Sequence, residues 1–453
     1  MLLYQFHDIL PGSSITRVYD ESLERYAKLL GEVRAMTAEA YGRAASRSGV
    51  AAGETVLFNS LPWERREWIE IGGSWQYVQV PAMGWRELKQ AAAEAPATGL
   101  IAEELRLENE RLEVRFAENG SIVSLYDKAA GREAVQPGTE ANLFTVYHDD
   151  GDAWDFPRDY RETIAGTMTL ESRRAYVSGP QAIIEQVYRF GESTLKQTIR
   201  LLQGDDLLRF DTEADWQEHG KMLRVAFPVA VVSDQVNCEI QFGVLKRPTT
   251  RNNAIEFARD EICAHHYLDL SQPDYGVALL NDSKYGHRAE GGVLDLNLLR
   301  SPGYPDPQAD RAEHRFTYAL YPHAGDFIQA GVYRKGYELN IPLTPAEAIP
   351  VTVDGSRAAD IHASRPMPLI SIDHPNVMVE AVKKAEDSDH LIFRLYETAG
   401  AGANGGLSFG MTCRTIEETN LLEEPISLLA EDTNQIRLPF TPFEIKTIRV
   451  QLA

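Results

Sequence analysis

From residue 14 to 48 the apolar side chains Ile15, Val18, Leu23, Tyr26, Leu29, Leu30, Val33 and Met36 recur mostly at spacings of three and four. That period puts them on one stripe of a single long helix, which Gly49 and Gly53 end. From Glu54 the period changes to two and turn residues become frequent. Residues 55–63, 66–71 and 77–81 read as short strands, the first running into a Pro62 turn. An Ala-rich stretch at 90–97, closed by Thr98 and Gly99, reads as a linker.

A second block of strands opens at Leu105. Residues 106–116 alternate, Glu118-Asn119-Gly120 makes a hairpin turn, and 121–127 returns. Further strands are predicted at 182–190, 195–202, 207–213, 222–232 and 316–321, a spacing that fits a many-stranded antiparallel sandwich. The last third adds strands at 370–372, 377–382, 390–397 and 443–450, with a Gly/Ala-rich loop at 400–406. The fold class is therefore mostly β: an N-terminal helix followed by antiparallel β-sandwich domains.

With 43% hydrophobic and 25% charged residues in 453, the chain can bury sizeable cores, in about three domains at ~150 residues each. No apolar run is long enough for a membrane span, and the N-terminus does not read as a signal peptide. The net charge of −22 repels nucleic acid and anionic membranes and suits a neutral ligand such as a sugar. Three isolated cysteines, Cys238, Cys263 and Cys413, fit a reducing, cytoplasmic setting.

Candidate chemistry concentrates before the helix. His7 and Asp8 precede Pro11-Gly12 and two serines, Ser13 and Ser14, either of which is placed to cap the helix start. Imidazole and carboxylate bind divalent metals and exchange protons; a buried hydrogen-bonded pair is the alternative reading. Asp149, Asp150, Asp152, Asp155 and Asp159 surround Trp154, a composition that suits calcium or a stacked sugar, or simply a solvated loop. His265 and His266 are adjacent on a predicted strand, so they point to opposite faces and read as structural.

The string Gln5-Phe6-His7-Asp8-Ile9-Leu10-Pro11-Gly12-Ser13-Ser14 closely resembles the motif of glycoside hydrolase family 38, the retaining alpha-mannosidases. Further resemblances lie in Phe58-Asn59 to Trp63, in Asn109-Glu110 through Leu125-Tyr126-Asp127-Lys128, in the segment 274–286, in Leu298-Leu299-Arg300-Ser301-Pro302 and in residues 318–323. The resemblance implies that residues 1–50 end a catalytic domain and begin a three-helix bundle, and that 51–100 form a small β module. It makes 101–340 a large sandwich similar to galactose mutarotase, and 341–453 a C-terminal β domain. It also implies His7 as a metal ligand and Asp8 as a partner of mannose hydroxyls, with Tyr285 and Arg300 contacting sugar from the β-domain loops.

The implied cofactor is a divalent metal, zinc foremost, with calcium or cobalt as alternatives. The implied partner is a mannose-containing oligosaccharide, and the helix stripe, lacking its bundle partners, points to a homo-oligomer. In the family a barrel with the nucleophile and general acid precedes the motif, so the chain is expected to be a C-terminal portion that is inactive alone. The competing class is a stand-alone, non-catalytic carbohydrate-binding β-sandwich module.

Overall fold

The structure is a computed structural model that describes residues 2–97, 99–155, 157–259, 261–349 and 368–453. The predicted close of the linker at Thr98 lies outside them. Two compact units emerge, one from residues 1–33, 96–240 and 245–340, the other from 34–95, 241–244 and 341–453.

The first unit is built on two large antiparallel sheets. Alternation along the chain makes them two-faced: in the strand Leu208–Asp215, Leu208, Phe210, Thr212 and Ala214 are buried, and the charged residues between them are not. This strand pairs with Glu313–Ala324 so that Phe210 opposes Tyr318 and Leu208 opposes Leu320, which puts matched apolar faces on the same side. Both belong to a nine-stranded sheet that also holds Thr169–Ser178, Gln181–Phe190 and Ser193–Leu202. The second sheet has six strands, among them Leu143–His148, Lys221–Pro228, Val293–Arg300 and Gly286–Glu290 as successive neighbours. Side chains from both sheets join one apolar cluster, where the rings of Phe210, Phe227 and Tyr318 lie within 4.9–5.9 Å of one another.

A polar triangle crosses this core. Asn142 Nδ2 donates to Gln197 Oε1 at 2.7 Å, Gln197 Nε2 to the Tyr318 hydroxyl at 2.7 Å, and that hydroxyl to Asn142 Oδ1 at 2.8 Å. Burial pushes the Tyr318 phenol well above its ordinary range, so it remains a donor at any pH the protein meets. A closed set of three satisfied groups specifies one packing of the core, because any slip would strand buried donors.

The second unit carries a three-stranded sheet, Thr344–Glu347 beside Thr55–Asn59 beside Gly84–Glu87, and a hairpin of Arg65–Ile71 with Ser74–Val80. Its C-terminal sheet runs Ile370–Ile372, Ala403–Thr419, Ile445–Leu452, Leu391–Glu397, Val377–Lys384, with Pro425–Phe440 paired to Ala403–Thr419.

The mostly-β, antiparallel expectation is met, and its differences have local causes. The predicted strand 106–116 is two, Arg106–Glu108 and Leu112–Phe116, because buried Asn109 turns the chain by accepting the N–H groups of Arg111 and Leu112. The Ala-rich stretch starts inside a short helix, Leu88–Ala91. The Gly/Ala-rich loop at 400–406 becomes, from Ala403, the start of a 17-residue strand. There Gly406 lets the backbone come close enough to donate to Asp373 Oδ1 at 2.6 Å, and an added Cβ would sit 2.5 Å from Asp373 Oδ2. The long helix spans Thr16–Arg47, and Ile15, Leu23, Leu30, Val33 and Met36 of its predicted stripe are exposed.

The polar triangle can be tested directly. Tyr318→Phe leaves the Gln197 amide and the Asn142 carbonyl each short of a partner, and unfolding free energy should fall by roughly 1–3 kcal/mol. Urea denaturation monitored by tyrosine and tryptophan fluorescence measures it, and a variant as stable as the parent would refute the assigned role.

Candidate functional site

The turn that holds His7 and Asp8 is closed by its own backbone. Gly12, at φ +76°, reverses the chain, and the Ser13 N–H donates to the Asp8 carbonyl at 3.0 Å. The two serines were expected to cap the helix. Instead the Ser14 hydroxyl donates to the Asp8 carbonyl at 2.6 Å and the Ser13 hydroxyl to Asp8 Oδ1 at 3.1 Å. They serve the aspartate, because the helix begins only at Thr16 and Ile15, rather than either serine, stands at its cap position. His7 Nε2 lies 3.6 Å from Asp8 Oδ2, and its ring packs on Phe6 at 4.3 Å while facing solvent.

A second donor reaches Asp8 from 146 residues away: the indole Nε1–H of Trp154 donates to Asp8 Oδ1 at 3.1 Å. The Trp154 and Ser13 hydrogen bonds, in that order, hold the Asp8 carboxyl below the usual carboxylate range despite some desolvation, with His7 adding a smaller electrostatic contribution. Asp8 Oδ1 is thus occupied and Oδ2 lies toward His7.

Sheet topology explains why Trp154 is there. Leu143–His148 and Val293–Arg300 flank Lys221–Pro228, with His148 opposite Lys221 and Met222 opposite Arg300, so the segments after His148 and after Arg300 leave from one end of the sheet. Arg300 holds the first of these segments. Its Nε donates to Asp149 Oδ2 at 2.7 Å and its Nη2 to Asp149 Oδ1 at 3.0 Å, a two-pronged pair with a carboxylate that has no exposed surface. The same Nη2 also reaches the carbonyls of Asp152 and Asp155 at 2.8 and 3.1 Å. Asp152 Oδ1 then accepts the N–H groups of Trp154 and Asp155, completing the turn that presents the indole. On the other side, Thr16 Oγ1 donates to Asp306 Oδ1 at 2.6 Å, joining the helix start to the segment after Arg300.

Of the four residues singled out in the sequence, His7 and Asp8 share the turn. Arg300 joins them through the 149–155 loop, with its guanidinium engaged by protein acceptors. Tyr285 stands at the same end of the sheet, just before Gly286–Glu290, with its ring 5.0 Å from His265. Among the described residues none of its contacts is shared with Asp8 or Trp154. The acidic string resolves into an ion-pair partner, Asp149, and a turn former, Asp152. Among the described residues no group of three or more His, Cys, Asp and Glu is placed to hold a metal ion. The Trp154–Asp8 bond was not legible in the sequence; the local signal was the Asx turn at Asp152, which marks a held aromatic rather than a loose one.

The architecture and this turn have counterparts. A family model described as Glycosyl hydrolases family 38 C-terminal domain matches residues 107–308, Glycosyl hydrolases family 38 C-terminal beta sandwich domain matches 376–448, and Alpha mannosidase middle domain matches 1–43. The chain carries the C-terminal domains of glycoside hydrolase family 38. The human protein named Alpha-mannosidase 2C1 is 34% identical over all of this chain and 45% of its own length, and Alpha-mannosidase G of Dictyostelium discoideum is 29% identical over 99% and 47%. The chain thus spans a little under half the length of these curated relatives. A crystal structure of an alpha-mannosidase from Enterococcus faecalis V583 superposes with a TM-score of 0.78 at 19% identity, covering 99% of this chain and 62% of that one, which shows a shared fold.

In this family 38 chain, replacing the indole donor should release Asp8. Trp154→Phe is expected to raise the Asp8 pKa, as read by carbon-13 NMR of the side-chain carboxyl. Because the folded value is depressed, the contribution of Asp8 to folding is present above the ordinary carboxylate range and fades as pH falls through the depressed value. Arg300→Met should raise the Asp8 pKa too, by releasing the loop, and should also cost on the order of 3 kcal/mol in stability by stranding Asp149. An Asp8 titration unchanged in both variants would show that the indole bond is not formed in solution.

Proposed function

We propose that the chain is the C-terminal portion of a metal-dependent retaining alpha-mannosidase acting on terminal alpha-mannosides in glycans or oligosaccharides. The observation that carries this reading is the His7–Asp8 turn. It lies inside the stretch matched as an alpha-mannosidase middle domain, and its aspartate accepts hydrogen bonds from two donors of the same chain.

In this reading Asp8 accepts hydrogen bonds from mannose hydroxyls through Oδ2, while Trp154 and Ser13 occupy Oδ1 and keep the carboxylate from rotating. His7, with its imidazole in solvent 3.6 Å from Asp8 Oδ2, offers one metal ligand. The remaining donors would come from outside the described residues, from the barrel that the family pattern places before this turn. A divalent ion, zinc by the family pattern, would supply Lewis acidity toward the sugar hydroxyls. The nucleophile and the acid of a retaining glycosidase sit about 5–5.5 Å apart and belong, by that pattern, to the barrel. Arg300 contributes by fixing the loop, and Tyr285 as a rim residue at the same sheet end. A cytoplasmic setting is supported by three thiols, Cys238, Cys263 and Cys413, that form no disulfide. Among the described residues no helix is long and apolar enough to cross a membrane.

Two measurements test the catalytic reading. The 453-residue chain alone should not turn over an aryl alpha-mannoside with zinc added, and turnover that disappears on His7→Ala would overturn it. Joined to a family 38 barrel, His7→Ala should lose bound metal and activity together. Asp8→Asn should keep the metal and lower kcat/KM by roughly one to two orders of magnitude, because the amide places a donor where an acceptor is needed.

The exposed helix stripe supports self-association of the chain, since Leu23, Leu30, Val33 and Met36 are all exposed among the described residues. Light scattering at several concentrations should show mass rising above that of a monomer, and Leu23→Glu with Leu30→Glu should return it to one. A parent that stays monomeric at every concentration would contradict this.

A further inference from the structure

We propose that Trp154 and Tyr304 form a stacking subsite for a neutral pyranose ring adjacent to the one Asp8 would hold, an inference that rests on the glycoside hydrolase reading and extends it to the neighbouring sugar. Large aromatic rings each carry a substantial apolar area, so a pair left in water side by side is informative. Trp154 is 56% exposed and Tyr304 64% exposed, with ring centroids 6.0 Å apart and planes at 55°. The two rings thus form an open wedge.

The wedge is held in place. The Trp154 indole is tied to Asp8, its backbone N–H to Asp152 Oδ1, and the Ala153 N–H donates to the Tyr304 carbonyl at 2.9 Å. Loop segments on both sides of the wedge are therefore fixed to each other and, through Arg300, to the sheet. A site ordered before its ligand arrives loses less freedom on binding.

The surrounding groups select the ligand. Asp8 and Asp152 are acceptors, and the protein carries a net charge of −22, which disfavours anions. A ligand that offers an apolar face to a ring and hydroxyl donors at its edge fits both features, and a neutral pyranose has that form. Because the indole edge is bonded to Asp8 while its face is open, a sugar on the wedge lies next to one held by the carboxylate. The arrangement makes Trp154 and Tyr304 determinants of what stands beside the terminal sugar.

The test uses the 453-residue chain and saturation-transfer NMR with α-mannobiose, cellobiose and lactose. Saturation should pass from the Trp154 and Tyr304 rings to α-mannobiose. Trp154→Ala and Tyr304→Ala should each weaken binding at least fivefold, and Trp154→Phe, which keeps a ring but loses the bond to Asp8, should fall between the parent and Trp154→Ala. Circular dichroism melts confirm that the variants fold. Binding of α-mannobiose that Asp8→Asn abolishes and Tyr304→Ala leaves untouched overturns the wedge and leaves the mannoside reading standing. Binding of cellobiose or lactose, but not α-mannobiose, with the same dependence on Tyr304 keeps the wedge and overturns the mannoside reading. No transfer to any of the three sugars overturns the wedge.

Discussion

A buried carboxylate has to find a positive charge, and in this protein that requirement shapes the site. Asp149 has no exposed surface and is met by the two-pronged guanidinium of Arg300 at 2.7 and 3.0 Å. The cost of burying the pair is offset only by complete hydrogen bonding, and Arg300 meets this by also taking the carbonyls of Asp152 and Asp155. One ion pair therefore fixes the whole 149–155 turn, and through Trp154 it reaches the aspartate that the proposed chemistry relies on. Lysine in place of arginine would supply charge without the planar fork, and the carbonyls would lose their donors.

The sheet makes that pair possible. Strands must twist and pack with apolar faces inward, and the triangle of Asn142, Gln197 and Tyr318 permits one alignment of the two layers. With the layers fixed, the ends of Leu143–His148 and Val293–Arg300 stand one strand apart, within reach of a side-chain bond. Rigid strands thus carry a loop that on its own would not hold an aromatic ring in one place.

Much was readable along the chain. The strands read from period-two alternation lie within a few residues of observed ones, because those strands have one face in a core and the other outside, while others, Leu143–His148 and Val293–Arg300 among them, were not read. The misreadings share a cause. Asn109 turns the chain through its side-chain oxygen and Gly406 permits close backbone approach, and a hydrophobic pattern registers neither. The long strand Pro425–Phe440 is largely exposed and so lacks a two-faced pattern, and Ala403–Thr419 begins in glycines that read as a loop.

The sequence by itself determined the β class, the long amphipathic helix, and the His7-Asp8 turn with its family resemblance, since each depends on residues close together in the chain. The tertiary structure decided which groups act together. It sent the hydroxyls of Ser13 and Ser14 to Asp8, committed Arg300 to Asp149, and brought Trp154 across 146 residues to the same carboxylate. Those choices follow from which donors and acceptors the packed sheets bring within about 3 Å, a distance that no spacing along the chain encodes.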